Sequence, residues 1–308
     1  MNRLFRQPQS AGALLILRHG PYELVLAPDC GARIAAFRFE GRDVLRPASP
    51  EALAEGLVYG FAGFPLMPYS GPVFSEGFIH AGVMHALARN VREEPTATHG
   101  EAWIRPWTVV TRTPRAVDLV LDHHPGLGTF PFAWRGSLRF ALEADGLSVD
   151  MALTCRDHQP MPAGIGFHPY FPKPPGTRLR FEALAVWPPD GPEAVEQTCM
   201  PIPPGLNFAD GPDVAERVID RCYEGWGGIA EIIAPGGFRS HLTATGALRR
   251  LQVYSAWDYP YVCVEPVSNA NDGFNRAARG VACHGVADLG PGETLQGRFR
   301  IAASQPRM

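Results

Sequence analysis

Residues 137–155, SLRFALEADGLSVDMALTC, carry the clearest structural signal in the chain. Leu138, Phe140 and Leu142 alternate with Arg139, Ala141 and Glu143; after Asp145-Gly146, Leu147, Val149, Met151 and Leu153 take up the alternation again. Successive side chains of a strand point to opposite faces, so a period of two puts the apolar set on one side. Two such runs joined by Asp-Gly predict an antiparallel hairpin with one buried face. Working outward, Val117, Leu119 and Leu121 add a strand before it, and Leu295, Gly297, Phe299 and Ile301 add another after the turn at Pro291-Gly292. Near the N-terminus, residues 14–18 and 22–27 flank His19-Gly20-Pro21, and residues 33–39 lead into Glu40-Gly41-Arg42, a strand–turn–strand pattern. Ser49 before Pro50 predicts a capped short helix over residues 50–55. Residues 64–72, FPLMPYSGP, are too rich in proline for a central strand and read as a loop or an edge. No window sustains a helical period and no internal repeat is present. The expectation is an all-β protein, a large antiparallel β-sandwich forming a single domain over residues 1–308.

Composition narrows the function. At 308 residues with 45% hydrophobic residues, the chain can bury a sizeable core. Its 33 glycines and 31 prolines are spread along the sequence, as many short strands joined by turns require. A formal charge of -3 offers no electrostatic basis for nucleic-acid binding. The apolar run over residues 11–17 is too short to span a bilayer and reads as a first strand, so no membrane association is expected. The 6 cysteines are scattered without a C-x-x-C pair, which suits reduced thiols and a cytoplasmic protein. Lys173 is the lone lysine; Phe171-Pro172-Lys173-Pro174 looks like a surface turn, which argues against Schiff-base chemistry.

The residues able to carry chemistry are few. In residues 161–171, MPAGIGFHPYF, Pro169 biases His168 toward extended backbone, so the imidazole is presented from a strand end or loop. Gly164 and Gly166 leave room for a close approach, and Tyr170 and Phe171 offer rings on which the C–H side of a sugar can stack. In the run 261–265, Tyr261, Cys263 and Glu265 share one face of a strand. A carboxylate ending so apolar a strand is desolvated, which raises its basicity. His99, before Gly100, and Asp220, before Arg221, are weaker signals that also suit a solvated turn and a surface pair. His123 and His124 are adjacent and point to opposite faces of a strand, and no zinc spacing, P-loop, complete dinucleotide fingerprint or G-x-S-x-G elbow is present. Two histidines and two carboxylates on an aromatic-rich scaffold suit acid–base chemistry on a neutral polar substrate, with no cofactor and no metal.

Taken together, the segment from Met161-Pro162 to His168-Pro169-Tyr170-Phe171, with His99-Gly100 before it and Val264-Glu265-Pro266 after it, resembles the aldose 1-epimerase (galactose mutarotase) family. Gly31-Ala32, Pro65-Leu66-Met67-Pro68, Arg105-Pro106-Trp107 and Pro291-Gly292-Glu293 fall in a supporting order, so the likeness covers nearly the whole chain. It implies a β-supersandwich and a mutarotase that interconverts the anomers of a free hexose. In that reading His168 is the general acid and Glu265 the general base, while His99, Asp220 and Tyr170 bind the sugar. One position departs. Where the family usually carries Asn-Arg, with the arginine reaching a sugar hydroxyl, this chain has Gly71-Pro72. Arg89 is the nearest candidate to supply the lost donors. Two other readings stay open: a mutarotase of a modified or phosphorylated sugar, with Arg89 or Arg105 near the pocket, and a non-catalytic sugar-binding module.

Overall fold

The hairpin forms and extends beyond its apolar alternation. Trp134–Glu143 pairs antiparallel with Gly146–Cys155, from Trp134 opposite Cys155 to Glu143 opposite Gly146. Ala144 and Asp145 make the turn, one position earlier than the expected Asp-Gly pair. Gly146, at φ 142°, opens the second strand, where a Cβ would lie 2.4 Å from the Ile301 carbonyl oxygen.

A computed structural model describes residues 10–305 except 190, 192, 193 and 195. In it the hairpin belongs to an eight-stranded sheet ordered Thr108–Arg112, Ala116–His123, Trp134–Glu143, Gly146–Cys155, Thr294–Ser304, Arg239–Gly246, Ile229–Ile233 and Arg178–Phe181. A ten-stranded sheet runs Leu15–His19, Tyr22–Ala27, Arg33–Phe39, Gly63–Leu66, Gly166–Pro172, Tyr261–Val267, Arg250–Ser255, Ile219–Glu224 and Ala185–Val186, with Arg42–Asp43 paired onto Arg33–Phe39. Adjacent strands are antiparallel throughout both sheets. The inner faces meet in one apolar cluster that holds Val117, Leu138 and Phe140 from one sheet with Phe37, Val262 and Val264 from the other. Phe167 bridges the layers, its ring 6.2 Å from Phe140 and 4.8 Å from Phe299. The all-β sandwich is therefore as expected. So is the helix Pro50–Glu55, where the Ser49 side chain accepts from the Ala52 N–H at 3.1 Å.

Three local expectations are corrected. Within residues 64–72, Gly63–Leu66 is a central strand, flanked by Arg33–Phe39 and Gly166–Pro172. Tyr170 N–H donates to the Ala62 carbonyl at 2.9 Å, which makes the even-numbered residues of this strand the bonded ones on that side. The missing donor of Pro65 therefore faces Arg33–Phe39, where pairing is confined to Ile34 opposite Gly63. Lys173 is buried, not on a surface turn: its Nζ donates to Ser255 Oγ at 2.9 Å and to the Ala256 carbonyl at 2.6 Å. Phe171 walls no pocket, because the alternation that turns Tyr170 outward sends Phe171 into the sandwich core.

Candidate active site

The site lies on the outer face of the ten-stranded sheet, and alternation along the strands builds it. Phe167, Phe171, Val262, Val264, Leu251 and Val253 point into the core, so His168, Tyr170, Cys263, Glu265, Gln252 and Tyr254 point outward. Register then sets the neighbours. Gly166 pairs with Val267 and Tyr170 with Cys263, which brings His168 opposite Glu265; Gln252 stands opposite Glu265 on the other side, and Asp220 opposite Tyr254. His168 and Glu265 are each followed by proline. By the same alternation of bonded positions, the absent N–H groups of Pro169 and Pro266 both belong to the ladder between these two strands, and pairing is interrupted from 167 to 169. The local sequence thus opens the sheet where the two titratable groups face each other.

His168 Nε2 lies 3.3 Å from Glu265 Oε1, with the residues 7% and 2% exposed. Neither His168 Nδ1 nor Glu265 Oε2 has a hydrogen-bond partner in the protein. Burial holds the imidazole well below its usual range, reinforced by the nearby His99. Burial, with the Asp220 carboxylate as a further cause, holds Glu265 well above the usual carboxylate range. The imidazole stacks on Tyr170 at 4.6 Å and packs against Phe64 at 4.8 Å. Behind this wall the Arg46 guanidinium lies 4.4 Å from the Tyr170 ring and donates to the carbonyls of Tyr59 and Phe61 at 2.7 and 2.6 Å.

His99 arrives from a loop rather than the sheet. Asn90 grips the backbone around it: its Nδ2 donates to the carbonyls of Thr98 and Gly100 at 2.6 and 2.5 Å, and its Oδ1 accepts from the Thr98 N–H at 3.0 Å. This clamp supports a left-handed backbone at His99, φ 60°, and at Gly100, φ 66°, which turns the ring toward His168, perpendicular to it at 5.5 Å. The Gly71 N–H donates to His99 Nδ1 at 3.1 Å, which assigns the remaining proton of the neutral ring to Nε2. Burial pushes the His99 pKa down to about 3, so the ring is neutral.

The space and backbone at position 71 account for its glycine. Gly71 has φ 75°, and a Cβ on it would lie 2.0 Å from Asn271 Oδ1, so no side chain fits there beside Asn271. Asn269 ties this loop to the sheet, accepting from the Ser70 N–H at 3.1 Å and donating to the Ser70 carbonyl at 3.0 Å. Its amide is also what approaches Gly164, where a Cβ would lie 1.9 Å from Asn269 Oδ1. The two arginines considered for the pocket lie elsewhere. Arg89 is exposed and outside the lining, and Arg105 is buried 3.7 Å from Glu101 and 2.7 Å from His123.

Asp220 is exposed at the rim and accepts from Gln252 Nε2 at 2.7 Å. With His99, His168, Tyr170, Gln252 and Glu265 it lines a cavity of about 440 Å³, in which no arginine or lysine is found among the described residues. All five residues singled out in the sequence therefore reach one cavity. Gln252, Asn271 and Arg46 were missed. Gln252 left a faint signal, a polar residue alternating with buried Leu251 and Val253; the other two left none. His168, Cys263 and Glu265 place potential ligand atoms within 4.8 Å of one another, the metal-compatible group among the described residues. Burial pushes the Cys263 thiol well up, so it stands at neutral pH as a protonated neighbour of the pair.

Comparison with known proteins bears on this geometry. A family model described as aldose 1-epimerase matches residues 14–302. The chain is 27% identical over 293 residues to the uncharacterised protein YphB of Escherichia coli K12, covering 92% of this chain and 97% of that one. It is also 27% identical over 161 residues to uncharacterised YihR of the same organism, covering 52% and 50%. Among solved structures, an Escherichia coli K12 protein described as a candidate aldose 1-epimerase superposes with a TM-score of 0.84 at 25% identity, over 96% of this chain and 99% of that one. A galactose 1-epimerase from Lactobacillus acidophilus NCFM superposes at 0.75 and 14% identity, over 96% and 95%, a likeness of fold.

Proposed function

The chain belongs to the aldose 1-epimerase family, and from that premise we propose that it interconverts the α and β anomers of an unphosphorylated reducing sugar by acid–base ring opening. The observation that carries this reading is the facing pair His168 and Glu265, 3.3 Å apart, each with a buried atom left without a protein partner at the cavity. Glu265 takes the proton from the anomeric O1 hydroxyl while His168 gives a proton to the ring oxygen O5, and the C1–O5 bond breaks. The open-chain aldehyde rotates about C1–C2 and presents its other face. Closure then runs the two transfers backward: Glu265 returns a proton to O1 and His168 recovers one from O5. One proton is shared by the pair throughout, so neither atoms nor charge are left over.

Opening begins from the ionised pair and ends with the neutral one. Burial disfavours the ionised forms of both groups, so the shared proton rests on Glu265 and must be on His168 when opening begins. His99, neutral with its proton on Nε2, is a donor for a sugar hydroxyl, Asp220 is an acceptor, and Tyr170 is an apolar wall. The reading of a phosphorylated substrate loses its support because no cation lines the cavity among the described residues. A pure binding module has no need of an acid and a base disposed about one ring.

The test is a time course of anomer equilibration, by polarimetry or NMR, starting from crystalline α-glucose and α-galactose and from a panel of other aldoses. The protein, pretreated with a chelator, should exceed the buffer rate for at least one sugar. Buffer-rate equilibration across the whole panel would sink the catalytic reading.

A further inference from the structure

The acid–base pair fills only part of its cavity, and another part of the lining has a different character. Tyr254, Tyr259 and Tyr261 wall that part. Along the strand Tyr261–Val267, residues on one face recur every second position, so the Tyr261 backbone stands roughly 13 Å from that of Glu265 at about 3.3 Å per residue, with Tyr254, opposite Cys263, between them. One pyranose seated with its C1 on the pair does not span the length of this row. The three tyrosines form a continuous series, Tyr254 to Tyr259 at 6.3 Å and Tyr259 stacked on Tyr261 at 5.0 Å, and Tyr261 in turn meets Tyr170 at 5.0 Å. Tyr261 has a structural task, since Arg46 packs over its ring at 4.5 Å. Tyr259 has none of that kind: it sits in the loop between two strands, is 41% exposed, and still lines the cavity.

Resting on the mutarotase reading, we propose that the tyrosine-lined part of the cavity is a subsite for a second sugar ring, so that the substrate is a neutral reducing disaccharide or longer oligosaccharide. The reducing ring sits at His168 and Glu265. The next ring, linked through a carbon other than C1 of the first, lays its C–H face on Tyr259 and Tyr254. Aromatic faces suit this contact because the apolar side of a pyranose carries only C–H groups, while its edge hydroxyls remain free for water and polar groups. The absence of lining cations among the described residues fits an uncharged ligand.

The experiment compares glucose with maltose, cellobiose and isomaltose in anomer equilibration by the wild type, Tyr259→Ala and Tyr259→Phe. At least one disaccharide should show a kcat/KM above that of glucose. Tyr259→Ala should erase about tenfold of that advantage, chiefly through KM, with glucose kinetics unchanged, whereas Tyr259→Phe should keep it because the ring face remains. Disaccharides no better than glucose in the wild type, or glucose and disaccharides declining together in Tyr259→Ala, would overturn the subsite. If no sugar is turned over, the mutarotase reading fails by itself. Calorimetric titration with the same disaccharides then decides the subsite: binding weakened in Tyr259→Ala but not in Tyr259→Phe supports it, and equal or absent binding refutes it.

Discussion

On the outer face of the eight-stranded sheet, Asp118 stands in register with Arg139, Asp122 with Arg135, and Asp150 with Arg298. Each pair is joined by an ion pair, the first two at 2.8 and 2.7 Å, and every partner is in water. On the outer face of the ten-stranded sheet the same kind of cross-strand juxtaposition brings Glu265 opposite His168, but under the 70–72 and 98–100 loops and with an atom of each left unmatched. Both faces were made by the same alternation. What separates them is cover. A charge in water with its complement beside it has little left to offer a ligand, and such pairs contribute about 0–1 kcal/mol to stability. A carboxylate and an imidazole shut away from water keep unsatisfied hydrogen-bonding capacity and shifted proton affinities, which a substrate can use.

The largest effect that sharpens this contrast is expected at the covered pair. Glu265→Gln preserves shape but cannot take a proton, so kcat for anomer equilibration should fall by about 10²–10⁴-fold with a smaller change in KM, and His168→Asn should behave alike. A Glu265→Gln protein with wild-type kcat would erase the distinction between the faces. The next effect concerns what holds them apart. Phe140, fully buried between the sheets, should cost about 3–5 kcal/mol on replacement by alanine in denaturant titrations, as a truncation of a packed aromatic does. A loss below ~1 kcal/mol would mean that the sheets are not packed as described.

A milder effect appears in the pH profile. Catalysis needs one proton on the pair, and the two limbs of kcat/KM belong to the pair as a unit. His168 is held below its ordinary range, so the acid limb should fall below pH 6.5; Glu265 is held up, so the basic limb should lie well above 4.5. Asp220→Asn removes a negative charge that raises Glu265 and should move the basic limb down. A basic limb that stays in place would disconnect Asp220 from the pair. The smallest effect belongs to the open face: Arg139→Ala should change stability by no more than ~1 kcal/mol and leave the pH profile unmoved.

Much of this was legible in the sequence. Alternation in residues 137–155 gave the hairpin, and the spacing of Tyr261, Cys263 and Glu265 gave the shared face on which the carboxylate lies. His99, His168, Tyr170, Asp220 and Glu265 all line the cavity. Misreadings arose where local composition was overruled by pairing. Pro65 sits in a central strand because its missing donor faces a strand that has already ceased to pair there, and Lys173 is buried because the 255–256 backbone and hydroxyl receive its ammonium group.

Periodicity and proline placement are local properties, fixed by covalent geometry, so the sequence by itself determined which residues share a face and where a strand ladder must lose its donors. Which residues meet across strands, and what covers them, depends on register and on contacts between distant segments. Gly71 is about 200 residues from Asn271, and its lack of a side chain is intelligible only once Asn271 Oδ1 fills the space where a Cβ would sit. The same holds for Arg46 behind Tyr170 and for Asn90 around His99. Only the tertiary structure decided these, because each rests on a close approach between groups whose sequence separation carries no record of their distance.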